Sequence, residues 1–447
     1  MKKLFILILS LTISLATFAQ KNKKKAANSD SSEQLKAKIF ANAEAIESKV
    51  IAWRRHFHEF PELGNQEFKT AEKVANHLKS LGIEVKTGVA VTGVVGLLVG
   101  GKPGPVIALR ADMDGLPVKE RADIPFASKA TTQFNGQQVN VMHACGHDTH
   151  VAILMGVAEV LAANKANLKG TIKFIFQPAE EGPPEGEDGG ARLMVKEGVL
   201  ENPKVEAIFG LHINAQTAIG QINYRPKGTM AAADIFRIKI KGKQTHGAYP
   251  WLGIDPIVTA SQIVMGLQTI VSRNATLTES AAVVSVGILN GGVRMNIIPE
   301  EANITGTIRT LDDKTRNLVH QRINTIATNI AESAGAVAEV KITEATPVTY
   351  NDVNLTEMML PTLHETAGKD KVNLVNATMG AEDFAYYVKD IPGFFFFLGG
   401  APAGVPTEKT APHHTPDFYI EEGGFTLGVK TMCALVVDYA DKKLVSE

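Results

Sequence analysis

The sequence predicts an α/β catalytic domain with a mostly parallel sheet, interrupted by an inserted ferredoxin-like α+β domain. Three observations lead to that class. Short apolar runs at 94–99, 106–109, 172–176 and 207–209 alternate with helical stretches such as 151–164, the texture of strands covered on both faces by crossover helices. Between about 233 and 344 the order becomes strand, helix, two strands, helix and strand, which is that of a small ferredoxin-like unit. The first texture then resumes, with an apolar run at 394–398 and a helical stretch at 424–439. A length of 447 residues accommodates two or three domains at roughly 100 to 200 residues each.

Taken from the amino terminus, Lys2 and Lys3 precede an apolar stretch at 4–18, and Thr17-Phe18-Ala19 places a small residue where a peptidase can cut. Residues 1–19 therefore read as a removable export signal, since the stretch is shorter than the roughly 20 residues of a membrane span. Residues 20–32, built after Gln20 of Lys, Asn, Ala, Ser and Asp without apolar period, read as a linker. Leu35, Ile39, Ala43, Ile46, Val50 and Trp53 recur at helical spacing, and 70–81 repeats the pattern before stopping at Gly82. The expected division is then 33–232 for the first part of the catalytic domain, 233–344 for the insertion and 345–447 for the second part. Inside the insertion, 234–241 alternates apolar and polar, 256–273 and 315–334 are helical, and 282–287 and 302–309 are strand-like.

Lys plus Arg number 46 against 47 Asp plus Glu, which leaves no basic surplus for nucleic acid. A hydrophobic share of 45% and a mean hydropathy of +0.01 describe a globular chain without a stable membrane span once the signal is cut. The expected location is exported, periplasmic or secreted. Its two cysteines, Cys145 and Cys433, would close a loop across nearly the whole mature chain, so two separate thiols are expected.

Polar groups gather just beyond the carboxyl ends of the apolar runs, where open α/β sheets place their sites. The run 106–109 leads into Arg110-Ala111-Asp112-Met113-Asp114, 172–176 into Gln177-Pro178-Ala179-Glu180-Glu181, 207–209 into Gly210-Leu211-His212, and 394–398 through a loop to His413-His414. Between the first two stands His143-Ala144-Cys145-Gly146-His147-Asp148 at the start of a helical stretch. A lone histidine or an adjacent pair of glutamates is usually structural or solvated, but coincidence at several strand ends of one sheet is not. Imidazole, thiolate and carboxylate are ligands for zinc and neighbouring divalent metals. Cys145, His147, Glu181, His212 and His414 make five, more than one tetrahedral structural site uses, whereas two ions about 3.5 to 4 Å apart can share a bridging group. Glu180 is left over to act as a base on water.

The strings Leu109-Arg110-Ala111-Asp112-Met113-Asp114-Gly115, Met142-His143-Ala144-Cys145-Gly146-His147-Asp148, Gln177-Pro178-Ala179-Glu180-Glu181-Gly182 and Met379-Gly380-Ala381-Glu382-Asp383-Phe384 resemble the M20 metallopeptidase superfamily, in its aminoacylase/amidohydrolase branch with hippurate hydrolases and plant auxin-conjugate hydrolases. The resemblance spans about 46–439. It implies a lid domain that also dimerises, and two divalent ions per subunit, drawn from Zn, Mn, Co or Ni. Cys145 would bridge, with Glu181 and His414 on one ion and His147 and His212 on the other, and Glu180 would be the general base. It further implies hydrolysis of an N-acyl amino acid, with His246 donated across a homodimer. Asp114 is expected to orient a ligand histidine, and Asn296 and Arg309 to hold the substrate carboxylate. Two departures stand out: Thr415 where the family often has Ser, and bulky Tyr249 and Trp251 near His246, which bear on substrate preference. A dipeptidase or carboxypeptidase, an exported two-domain ligand-binding protein and a structural metal protein are the alternatives.

Overall fold

The computed structural model describes residues 31–402 and 404–446. The expected signal and all but the end of the linker lie outside the described residues. A first helix, α1 (31–45), starts two residues before the expected onset at 33 and breaks at Ile46, where α2 (Glu47–Glu59) begins. The apolar period from Leu35 to Trp53 is thus shared by two helices.

The main sheet has eight strands: β1 (Glu84–Val89), β2 (Gly93–Val99), β3 (Lys102–Asp112), β4 (Lys169–Gln177), β5 (Ala207–Ala218), β6 (Ile222–Tyr224), and, after the insertion, strands Val372–Leu374 and Gly393–Ala401. At its centre β4, β3, β5 and Gly393–Ala401 lie side by side and parallel, while β1, β2 and β6 join antiparallel to their inner neighbours. The central strands are mostly apolar because both faces are covered; every residue of Gly393–Ala401 is buried. On one face, helix His147–Ala163 lies beneath α2 and the last helix, Phe425–Ser446, and is buried on nearly all sides. That explains why its apolar residues show almost no amphipathic period.

The insertion forms a second sheet with its own core of Phe236, Ile238, Ile263, Ile304, Val319 and Ile323. Its strands Ala232–Lys241, Ala282–Gly291, Glu301–Thr310 and Val337–Thr346 are all antiparallel, with Ala282–Gly291 on one edge and Val337–Thr346 on the other. Helices Pro256–Thr269 and Asp313–Ser333 pack on this sheet, completing the expected order. The first of them passes after Thr269 into a π-helical turn, Ile270–Asn274, so the helical stretch reaches the expected limit at 273.

Helix Val353–Ala367 has no counterpart in the sequence reading. Pro361 in its interior conceals it, and the local signals for it are the Asp352 cap on the Leu355 N–H and Gly368, at φ 89°, just past its end. No helix among the described residues is long and apolar enough to cross a membrane.

Candidate metal centre

Parallel strands present their carboxyl ends on one edge, and there the candidate residues meet. Strand β3 ends in Asp112 and leads to Asp114, β4 leads to Glu180 and Glu181, and the loop after Gly393–Ala401 carries His413 and His414. His212 lies within β5, which continues to Ala218, rather than in a turn beyond it. It is still at the edge of the site, because the pairing of β3 with β5 stops at Arg110 and Gly210.

Two backbone features draw the loops together. Gly146 has φ +94°, and a Cβ there would stand 2.4 Å from the Ile213 side chain, so only glycine lets the helix start flush against β5 with Cys145 just before it and His147 at its first turn. His414 adopts a left-handed φ of 64°, held by its N–H bond to the Ala144 carbonyl at 2.8 Å.

Cys145 sits at the middle of the cluster. Its Sγ lies 3.4 Å from His212 Nε2 and 3.3 Å from His414 Nε2, with Glu181 and His147 beside it. His414 Nε2 also reaches Glu181 Oε1 at 2.9 Å. The tautomers suit metal ligation. His212 Nδ1 donates to its neighbour's carbonyl at Ile213 (2.6 Å), leaving Nε2 as a lone-pair donor toward the thiol. His147 Nδ1 is engaged by Asp114 through its carbonyl (2.9 Å) and Oδ1 (3.2 Å), while the buried Nε2 has no hydrogen-bond partner and faces Asp112 and Glu180 at 3.8 Å each. An orphaned buried nitrogen among carboxylates and a thiol is what a cation-binding pocket presents. The residues present therefore fit a divalent metal.

His413 and His150 are excluded as ligands by their own bonding. His413 Nδ1 donates to the Cys145 carbonyl (3.1 Å) and Nε2 accepts from the Ala215 N–H (3.1 Å); His150 is spent likewise between Asp112 Oδ1 (2.5 Å) and the Ile213 N–H (2.8 Å).

Electrostatics separate the adjacent glutamates. Burial, with Glu382, Glu181 and Asp383 nearby, holds the Glu180 carboxyl well above the ordinary range. Burial would raise Glu181 too, but His414 and His147 outweigh it and bring it below the ordinary value. Burial and the neighbouring His150 and His413 push His212 well down, toward the neutral ligand form. Asp114 binds both sides of the cluster, its Oδ2 accepting the Glu181 N–H at 2.9 Å while Oδ1 meets His147.

Beneath Glu180 lies a charged layer that the sequence reading left unassigned. Buried Arg110 donates to Asp112 (2.7 Å), Gln177 (2.8 Å), Glu382 (2.8 Å) and Asp383 (3.0 Å), and the Asp383 N–H donates to Glu180 Oε1 at 3.3 Å. A second unassigned layer fixes the helix start: Asp148 Oδ2 meets Arg54 Nε at 2.9 Å and His58 Nδ1 at 2.8 Å. The first layer falls wholly inside the motif strings, whereas the second contributes only Asp148 to them, and tertiary contact alone reveals Arg54 and His58.

The residues expected on the insertion are not brought to this cluster within the protomer. His246 pairs with Ile297, accepts the Ala248 N–H at Nδ1 (3.0 Å) and stacks on Tyr249 at 5.4 Å. Asn296 lies next to it, its carbonyl accepting the Gly247 N–H at 2.8 Å. Arg309 corrects the expectation of a shared carboxylate clamp. It pairs with Ala233 near the sheet domain, whereas His246 and Asn296 lie beyond Lys241 and Glu301 at the other end of the same strands, roughly 26 Å away at about 3.3 Å per residue. Asn296 and Arg309 cannot grip one carboxylate in one subunit.

The model of peptidase family M20/M25/M40 matches residues 108–438. The N-acetyl-L-cysteine deacetylase of Bacillus subtilis is 39% identical over 383 residues, covering 85% of this chain and 86% of its own. The IAA-amino acid hydrolase ILR1-like 2 of Arabidopsis thaliana is 36% identical over 443 residues, covering 98% and 96%. Among solved structures, the YXEP protein of Bacillus subtilis, a dinuclear metal-binding peptidase of the M20 family, superposes with a TM-score of 0.75 at 36% identity, covering 89% of this chain and 99% of its own.

Proposed function

The chain belongs to peptidase family M20/M25/M40, and from that membership we propose that it is a metal-dependent amidohydrolase cleaving N-acyl amino acids, with Glu180 as its general base. One observation carries the reading: a single thiol, Cys145, is ringed by His147, Glu181, His212 and His414, with a carboxyl of raised proton affinity, Glu180, beside them. Four donors around a central sulfur, five ligand groups in all, suit two divalent ions, which Cys145 would hold jointly, with Glu181 and His414 serving one and His147 and His212 the other. When bound, such ions polarise an amide carbonyl and acidify the attacking water.

The protein groups do the rest. Glu180 accepts the proton of the attacking water and passes it to the leaving nitrogen, a task suited to a buried carboxyl whose proton affinity is raised by its surroundings. Asp114 holds His147 in the tautomer that presents Nε2. His246, with Asn296 adjacent, is the group we assign to the cleft of a second subunit, where it would donate to the developing oxyanion. A homodimer is supported by the edge strand Ala282–Gly291, which among the described residues has no strand on its outer side, with Val283, Ile288 and Leu289 exposed beside Val258 and Met265 of the neighbouring helix. The basic and apolar amino terminus supports export to the periplasm or medium.

The names of the two hydrolases favour N-acyl amino acids, and the family's peptidases make dipeptides the second reading. Turnover by metal-loaded enzyme of N-acetyl, N-benzoyl and longer N-acyl amino acids, measured beside dipeptides, decides between them. Preference for dipeptides would make it a peptidase. Tight binding without turnover of any substrate would favour a ligand-binding protein.

A further inference from the structure

The insertion joins the sheet domain through two chain crossings, 231–234 inward and 344–349 outward, and both are fastened to one stretch of main chain. The Ala231 N–H donates to the Gly380 carbonyl (2.9 Å), the Thr349 hydroxyl donates to the Glu382 carbonyl (2.9 Å), and the Tyr386 phenol donates to the Ala345 carbonyl. Ala345 in turn donates its N–H to Asp234 Oδ1 at 3.3 Å, and Asp234 is gripped by Arg316 (2.6 and 2.9 Å) and His320 (2.7 Å) of the inserted helix. Tyr386 is therefore tied to the charged hub of the insertion.

The other end of the same stretch reaches the proposed base. The Asp383 N–H donates to Glu180 Oε1 at 3.3 Å, and Asp383 is itself locked by Gln177 (2.7 Å) and Arg110 (3.0 Å). Asp383–Tyr386 is one turn of 3₁₀ helix, so the two contacts stand about 6 Å apart along a stiff element at about 2 Å per residue. Alongside runs an open groove lined by Asp312, Arg316, Glu344, Tyr350, Val388 and Lys389. There the insertion meets the sheet domain through those hydrogen bonds, across that groove.

We propose that Tyr386 is a positioning residue, coupling the orientation of the Glu180 carboxylate to the position of the inserted domain through the Asp383–Tyr386 turn. The inference rests on Glu180 being the base. A carboxylate steered by an N–H at 3.3 Å is sensitive to small displacements of that turn, and misplacement of a reacting group by about 1 Å can cost up to a hundredfold in rate.

Tyr386→Phe keeps the ring and removes only the tie. It is expected to lower kcat about tenfold with KM held within about twofold, and with metal content and unfolding midpoint unchanged. Thr349→Val, which cuts the neighbouring tie at Glu382, should give the same split. In a Glu180→Gln background Tyr386→Phe should leave the residual rate within about twofold, because no base remains to be aimed. Normal kcat in both single variants, or an equal loss with and without Glu180, overturns the coupling while leaving the base in place. Full turnover by Glu180→Gln alone would instead overturn the base and the coupling together.

Discussion

Glu180 and Glu181 are neighbours in the chain with opposite surroundings, and the geometry gives each a different consequence when lost. Glu180 is raised by burial and by Glu382, Glu181 and Asp383, whereas Glu181, buried too, is drawn down by His414 and His147. Glu180→Gln should keep its metal and lose about a hundredfold to ten-thousandfold in rate, the usual contribution of a positioned base. Glu181→Gln should lose metal instead. Elemental analysis beside steady-state kinetics checks both, and parallel loss of metal in the two variants would show that neither is a separate base. Cys145→Ala should lower the metal content below the proposed two ions per chain, because the other four donors converge on its sulfur. Cys145 and Cys433 are both free, and Cys433 is buried on the last helix against the Val157 carbonyl, so no bridge competes for the thiol.

Among the elements, the inserted sheet carries its own electrostatic anchor. Burial would raise Asp234, but hydrogen bonds from Arg316 and His320 outweigh it and bring the carboxyl from 3.8 to about 2. A depressed carboxyl stabilises the folded form fully above its unfolded value, and that stabilisation disappears as pH falls from about 4 through 2. The contribution is on the order of 2 kcal/mol, at 1.36 kcal/mol per pH unit. Urea unfolding of wild type and Asp234→Asn should therefore differ most at neutral pH, with the gap closing between pH 4 and 2. A gap that stayed constant down to pH 2 would mean that the anchor acts through shape rather than charge.

For the whole molecule, the decisive fact is that His246 has no partner among the metal-centre residues of its own protomer, while the outer side of the edge strand Ala282–Gly291 has no strand partner among the described residues and exposes Val283, Ile288 and Leu289. If a second copy completes the cleft, mixing inactive His246→Ala with inactive Glu180→Gln subunits under conditions of exchange should restore activity, since one cleft in each mixed dimer keeps both groups. No recovery despite proven exchange would reject donation in trans. A companion measurement is sedimentation of Ile288→Lys, which places a charge on the outer edge of Ala282–Gly291. It should shift the protein toward monomer and lower activity together.

Much of this was written in the chain. Apolar runs without alternation revealed the covered central strands, because burial on both faces leaves no polar phase. The strand, helix, strand, strand, helix, strand order revealed the insertion, because local periodicity survives whatever surrounds it. Cys145, His147, Glu180, Glu181, His212 and His414 were legible because parallel strands deliver their ends to one edge, so motifs far apart in sequence must meet. What the sequence could not decide was set by contacts between distant segments. Helix Val353–Ala367 is stabilised by packing in spite of Pro361. His413 and His414 are indistinguishable as adjacent letters, and only the N–H of Ala215 and the carbonyl of Cys145, occupying both nitrogens of His413, separate a supporting ring from a ligand. Asn296 and Arg309 looked like one clamp because sequence carries no measure of which end of a strand a residue occupies. The antiparallel register puts them at opposite ends, and register is a property of pairing between strands that no single stretch of chain contains.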